Sequence, residues 1–395
     1  MKFKRLDDAE LSGKTAIVRV DFNVPRHADG AISDTTRMEA ALPTIKRLQD
    51  AGAKTILLSH FGRPKGEHKP ELSLSFITAP LSDMLGVPVS FSEKLSAEAV
   101  SQMSAGDVLL IENTRFAAGE AKGDAGMAQY IAQHGDIYIQ DAFSAAHRRH
   151  ASSAVIGEYL PAFAGLAMER ELDHLAQALE HPQSPVMGVV GGAKVSTKMD
   201  LLNNLVEKLD VLVIGGGMAN TFLAAQGYNV GKSLCEHDLA DTARIILDKA
   251  KAANCEIVLP ADVVVAKDFK ANAPHRQCGL DDVAPDEMIL DAGSETVNLI
   301  ADHIDNAKTL IWNGPLGAFE LTPFDTSTVE AAKYAAKRTK SNHLIAVAGG
   351  GDTVAALKHA GAADDFTFIS TAGGAFLEWM EGKSLPGVDI LLIKD

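Results

Sequence analysis

Short apolar runs of strand length alternate with amphipathic stretches of helix length from one end of the 395-residue chain to the other. This alternation restricts the fold more than any other feature. In the first half, 15–20 (TAIVRV), 55–60 (TILLSH), 87–91 (VPVSF), 107–113 (DVLLIEN) and 136–140 (DIYIQ) are separated by stretches such as 37–53 and 127–135. In the second half, 184–190, 210–216, 255–260, 309–314, 343–350 and 366–371 alternate with 198–209, 241–254 and 328–340. Strands that are apolar along their whole length have both faces covered, as in parallel sheets with helices on either side. The expected architecture is therefore α/β, with two doubly wound, Rossmann-like parallel-sheet domains joined by a hinge helix.

Length also asks for two cores, at roughly 100–200 residues per domain. The segment 168–185 reads as a helix ended by Pro182 and Pro185, and is the best linker in the chain. Expected boundaries are 1–168 for an N-terminal domain, 169–185 for the hinge and 186–384 for a C-terminal domain. No short-period repeat is present, which excludes solenoids and propellers.

The net charge is −15, from 37 Lys and Arg against 52 Asp and Glu. General nucleic-acid binding and attraction to acidic membrane surfaces are therefore poor defaults. Up to Arg170 there are 19 basic and 21 acidic residues, and beyond it 18 and 31. Ten of the 13 arginines lie in that first part. A guanidinium matches carboxylate and phosphate oxygens, so the enrichment points to a small anion; an ordinary charged surface is the competing reading. Arg37, Arg63 and Arg115 each follow a strand-like run, where open α/β sheets place their ligands. Cys235, Cys255 and Cys278 stand far apart without a CxxC pair, which gives neither a zinc site nor a disulfide framework. The start of the chain has no apolar segment after its cations, and no apolar run of about 18 residues occurs. The expected setting is the cytoplasm, with no membrane contact.

Four times in the second half a strand-like run ends in glycines before a helix: Gly191-Gly192-Ala193-Lys194, Gly215-Gly216-Gly217, Gly349-Gly350-Gly351-Asp352-Thr353 and Ala372-Gly373-Gly374. Glycine lets backbone N–H groups approach phosphate oxygens, and the helix start adds partial positive charge. One such loop is only a tight turn; four of them, with three arginines in that half, point to a nucleotide bound chiefly by backbone. The P-loop pattern is absent, because Gly227 to Ser233 is one residue short and follows a helical stretch. No loop completes GxGxxG, since Asn220 stands where the third glycine belongs, and nicotinamide binding is disfavoured.

Asp352 either caps a helix or meets a Mg²⁺ that bridges nucleotide phosphates, and the two roles are compatible. Lys194 and Lys198, four apart at the start of one helix, are expected to share a face. Glu320 is placed to accept from a ribose. His147 and His150 lack the acidic or cysteine companions of a metal site, which leaves anion contact or a surface position. In the first half, Asp21 with Asn23, His60 with Arg63, Glu112 with Arg115, and Asp141 with His147 and Arg148 all stand at strand ends. Capped turns would explain each by itself. Together they offer a basic floor for a small phosphorylated acid.

With these residues assembled, the chain resembles the phosphoglycerate kinase family. VRVDFNVP, SHFGRPKGE, ENTRF, DAF…AHR, GGAKVSTK, GGGMANTF, WNGPLGAFE, GGGDT and STAGGAFLE occur in that family's order and span nearly the whole chain. The resemblance implies reversible, Mg²⁺-dependent phosphoryl transfer from 1,3-bisphosphoglycerate to ADP, giving 3-phosphoglycerate and ATP, in a monomer whose hinge brings two ligands together. It also implies that residues from about 385 to 395 fold back onto the first domain. The glycerate contacts it implies are Asp21, Asn23, Arg37, His60, Arg63, Arg115 and Arg148. The nucleotide contacts are Gly192, Ala193, Lys198, Gly216, Glu320, Gly350, Gly351, Asp352 and Thr353, with Asp352 on the metal. Arg37 and Lys194 are the implied cations at the transferring group. Ala372, Ser144 and Arg149 depart from the family pattern, and a restricted backbone approach is expected at Ala372.

Two other readings compete. A two-domain binding protein would close on a ligand without chemistry, and ATP formation in a coupled assay separates it. A nicotinamide-dependent dehydrogenase would prefer NAD over ADP in a thermal-shift titration.

Overall fold

The structure is a computed structural model, and it describes residues 1–393. The chain forms two compact units, Met1–Asp173 together with the described residues from Ser384 onward, and His174–Lys383. Their boundary falls inside the helix Leu166–Leu179, which stops ahead of Pro182. Of the expected tail 385–395, residues 394 and 395 lie outside the described residues.

In the first unit, β1 (Thr15–Arg19), β2 (Lys54–Leu58), β3 (Val89–Ser92), β4 (Val108–Ile111), β5 (Ile137–Gln140) and β6 (Ala162–Ala164) form one sheet in the order β3-β4-β2-β1-β5-β6. All of its pairings are parallel. β4 and β5 are buried along their whole length, as the unbroken apolar runs require. The helix Thr36–Asp50 buries Met38, Ala41, Ile45 and Leu48, the spacing of an apolar stripe, in one core with Val18, Leu57 and Leu110. Each of its large side chains contributes roughly 1.5–3 kcal/mol by leaving water. The C-terminal residues complete this unit. Lys4 N donates to Leu391 O at 2.9 Å, Gly387 N donates to Ala146 O at 2.8 Å, and Phe3 bridges Leu392.

In the second unit, β7 (Val186–Val190), β8 (Val211–Ile214), β9 (Glu256–Val258), β10 (Asp262–Ala266), β11 (His275–Gly279), β12 (Met288–Ala292), β13 (Thr309–Asn313), β14 (Ile345–Gly349) and β15 (Phe368–Ser370) form two sheets. The larger is parallel, in the order β15-β14-β13-β7-β8-β9. Trp312 is buried in its core and its indole N–H donates to Gly314 O at 2.8 Å. The smaller sheet, β11-β10-β12, is antiparallel and adds to the expected parallel one. β11 (HRQCG) is mostly exposed and carries no apolar period, so nothing in its sequence marks it as a strand. DVVVA in β10 is a legible strand signal that the alternation leaves unassigned.

Both parallel sheets reverse their strand order beside the first strand of the unit. β1 lies between β2 and β5, and β7 lies between β8 and β13. Loops leaving the carboxyl ends of such a pair diverge and open a crevice.

Candidate active site

In the first unit, Asp21 stands two residues beyond β1. Its carboxylate accepts from Arg37 Nη1 at 2.8 and 3.1 Å, from Ser144 Oγ at 2.5 Å and from Asn23 N at 3.0 Å. Burial opposes ionisation of Asp21, but Arg37, Ser144 and the Asn23 N–H together hold it below the usual carboxylate range. Arg37 stands at the start of the helix Thr36–Asp50, and its Nη1 also donates to Asn23 O at 3.1 Å. Asn23 Oδ1 accepts from Gly62 N at 2.9 Å, which ties the loop after β1 to the loop after β2.

His60 lies in that second loop with 6% of its surface exposed. Burial pushes its pKa well down, Arg19, Arg115 and Arg37 add to the effect, and Asp21 pulls against it. Arg115 donates from Nη1 to Gly62 O at 2.7 Å. Burial, with Arg19, Arg148 and Arg63 nearby, brings its pKa down to about 10 against the pull of Glu120. So many cations in a small volume need a counter-charge. Glu120, fully buried, accepts from Ser152 N at 3.0 Å, Ser152 Oγ at 2.6 Å and Thr114 Oγ1 at 3.3 Å. Arg63 and Arg148 form the exposed edge of the cluster, and Arg148 Nε donates to His147 Nε2 at 2.9 Å.

In the second unit, Lys198 crosses the β7/β13 reversal. Its Nζ donates to Gly191 O at 2.6 Å, Asn313 Oδ1 at 2.6 Å and Asn313 O at 3.1 Å. Burial brings its pKa down to about 8, with Asp352 acting in the other direction. A Cβ on Gly191 would lie 1.8 Å from Pro315 O, so the two strand ends approach as only glycine allows. Gly350 has φ +98 and is the N-cap of the helix Gly351–His359. The first-turn N–H groups of Gly351, Asp352 and Thr353 have no intrahelical acceptor and face outward along the helix axis. Asn313 Nδ2 and Thr353 Oγ1 brace this loop by bonding Gly349 O at 2.8 Å and Gly314 N at 2.7 Å.

Two details differ from expectation. Lys194 and Lys198 do not share a helix face: Val195–Thr197 is a 3₁₀ turn, Lys194 is exposed, and Lys198 turns inward. Asp352 is exposed and makes no capping bond, so the capping role falls away. Ala372 is buried and has φ −98, a backbone conformation ordinary for an L residue. Of the other departures, Ser144 donates to Asp21, and Arg149 turns to Glu158 at 2.5 Å. Glu320 is exposed. Gly192 and Gly216 pack against one another, and Ala193 lies beside Gly217.

Arg19, Glu120, Ser144, Ser152 and Asn313 are bonded into these two clusters although the motifs gave them no role there. Leu234 lies half-exposed beside Gly217. Arg19 and Asn313 lie inside the quoted motifs and could have been found there. The others carry no local signal.

The family model described as phosphoglycerate kinase matches residues 6–383. Curated relatives called phosphoglycerate kinase include one from Maricaulis maris, 60% identical over 391 residues, covering 98% of this chain and 97% of that protein. Another, from Brucella abortus, is 59% identical over 395 residues, covering 99% and 100%. Among solved structures, phosphoglycerate kinase from Coxiella burnetii superposes with a TM-score of 0.92 at 40% identity over 98% of both chains. That from Pyrococcus horikoshii gives 0.80 at 29% identity, again over 98% of both.

Proposed function

The chain belongs to the phosphoglycerate kinase family, its activity is reversible phosphoryl transfer between 1,3-bisphosphoglycerate and ADP, and from that premise we propose which residues carry the reaction. The unit Met1–Asp173 binds the glycerate through Asp21, Asn23, Arg37, His60, Arg63, Arg115 and Arg148. The unit His174–Lys383 binds ADP or ATP through Gly192, Ala193, Lys198, Gly216, Glu320 and the stretch Gly350 to Thr353. The observation that carries this assignment is the division of donor types between the two strand reversals. Guanidinium and imidazole groups crowd the one beside β1, as a phosphorylated acid requires. Glycines, unpaired helix N–H groups and one half-buried lysine occupy the one beside β7, as a phosphate chain requires.

The acceptor oxygen of 3-phosphoglycerate is already a carboxylate, so the reaction needs no general base. Catalysis then rests on alignment and on neutralising charge at the transferring oxygens. Asp21 holds Arg37 through Nη1 alone, and leaves the rest of the guanidinium for the phosphoryl group. Lys194 supplies the second cation from a loop anchored by Ser196, whose N and Oγ donate to Glu236 at 2.9 and 2.6 Å.

Mg²⁺ fits the donor set. Asp352 is an exposed carboxylate at a helix start, and no cluster of three or more His, Cys, Asp or Glu occurs among the described residues. One protein carboxylate with phosphates and water is the coordination this ion prefers. When bound, it offsets charge between the phosphates. From the family resemblance we read the working form as a cytoplasmic monomer without nucleic-acid or membrane partners. Among the described residues no helix is long and apolar enough to cross a membrane.

Coupled assay of Arg37→Ala and Lys194→Ala tests the transfer roles. Both fold, as circular dichroism should confirm, and both lose roughly 10³-fold or more in kcat. Near-normal turnover in both removes them from the transfer step.

A further inference from the structure

Arg19, the last residue of β1, is completely buried, and its guanidinium is bonded at three nitrogens. Nε donates to Ser152 Oγ at 3.1 Å, Nη1 donates to Val20 O at 2.5 Å, and Nη2 lies 2.9 Å from His60 Nδ1. Ser152 Oγ donates in turn to Glu120 Oε1 at 2.6 Å. The direction of every bond in this chain is fixed. A carboxylate only accepts, so the serine hydroxyl gives its proton to Glu120 and takes Arg19 Nε–H on a lone pair. A guanidinium only donates, so His60 Nδ1 must accept, and the proton of the neutral ring resides on Nε2.

We propose that Arg19 is a positioning residue, which holds His60 as the neutral Nε2–H tautomer so that the imidazole presents a hydrogen-bond donor to the phosphoglycerate. The proposal rests on the reading of His60 as a glycerate contact. His60 Nε2 has no partner among the described residues. The oxygens of an ionised carboxylate or phosphate are acceptors, so the opposite tautomer would set a lone pair against the ligand and an N–H against Arg19. The charged groups facing the ring are Arg19, Asp21, Arg115 and Arg37. Burial and the three arginines keep it neutral, and Asp21 alone favours the cation. Arg19 therefore acts through His60, which sets it apart from the arginines assigned to direct contact.

The tautomer is measured on the ligand-free full chain with ¹⁵N-labelled histidine, using long-range ¹H–¹⁵N correlation and assigning His60 by the signals lost in His60→Gln. A protonated Nε2 with a bare Nδ1 is expected from about pH 8 down to about pH 6. A proton on Nδ1, or a doubly protonated ring across that window, overturns the proposal. This result needs neither a ligand nor a variant at Arg19, so it stands even if Arg19→Leu does not fold. In steady-state assays Arg19→Leu raises KM for 3-phosphoglycerate roughly tenfold and leaves KM for ATP unchanged. The ratio to wild type shrinks as the pH falls from about 8 to about 6, because the released imidazole protonates and regains its donor. Arg19→Lys, which keeps a cationic donor, restores the bare Nδ1 and most of the KM. Equal rises in both KM values, or a ratio independent of pH, assign Arg19 a purely structural role and overturn the proposal. An unchanged KM for 3-phosphoglycerate in His60→Ala, which removes the donor, instead refutes the contact on which it rests, whatever the tautomer.

Discussion

Lys198 Nζ donates to Asn313 Oδ1 at 2.6 Å, so a side chain from the start of one helix closes the gap between the ends of β7 and β13. Its remaining bonds go to the carbonyls of Gly191 and Asn313, and no carboxylate is among its hydrogen-bond partners. The lysine is therefore a partly desolvated cation with no carboxylate bonded to it, which sets up a dependence on pH.

Its pKa falls from 10.5 to about 8 in the folded chain, with burial as the main cause. Below about pH 8 the fold carries the cation at a cost, and that cost is relieved as the pH rises toward 10.5. Nucleotide phosphates favour the cation, so binding opposes this deprotonation. KM for ATP should rise several-fold above about pH 8 while KM for 3-phosphoglycerate stays level, and Lys198→Arg should flatten the profile. Parallel profiles for the two substrates would show that Lys198 does not meet the nucleotide.

Gly191, just after β7, and Gly351, at the start of the helix after β14, should respond differently to one methyl group. At Gly191 a Cβ would meet Pro315 O at 1.8 Å, whereas at Gly351 it would meet nothing within 4 Å. Gly191→Ala should cost roughly 1–3 kcal/mol or more, read as a lowered urea midpoint. Gly351→Ala should unfold like wild type yet raise KM for ATP, because its Cβ occupies space the phosphates approach. Equal midpoints for the two variants would contradict the tight strand-end packing.

Asp141 gives a stability signature of its own. Its Oδ1 accepts from Ala167 N at 2.9 Å and Met168 N at 3.2 Å, and complete burial raises its pKa from 3.8 to about 7 against the pull of those N–H groups and Thr44. Below about pH 4 the carboxyl is protonated whether folded or not. Between there and about pH 7 the unfolded chain ionises first, so folding loses stability as the pH rises. Asp141→Asn removes that slope and should gain on wild type by up to roughly 4 kcal/mol across the window. Urea titrations at pH 4.5 and 7.5 measure the gain, and an identical difference at both values would count against it.

Much of this molecule is legible in one dimension. Parallel strands announce themselves because each is a short run buried on both faces, and β4 and β5 are the clearest cases. The glycine loops are legible for a similar reason, since close backbone approach excludes a Cβ whatever the partner. β11 is illegible because an exposed strand is held by its neighbour's hydrogen bonds and not by an apolar pattern. The supposed Lys194–Lys198 pair failed because spacing implies a shared face only inside a continuous helix, and a 3₁₀ turn intervenes.

Sequence alone determined the family, the alternation of elements and the residue types that handle phosphate and carboxylate. Folding decided the direction and partner of each polar bond. Arg19 meets Ser152, 133 positions away, and Lys198 meets Asn313, 115 positions away. Such pairs leave no local trace, because a strand end and its partner in a distant turn or helix start are brought together only by tertiary packing.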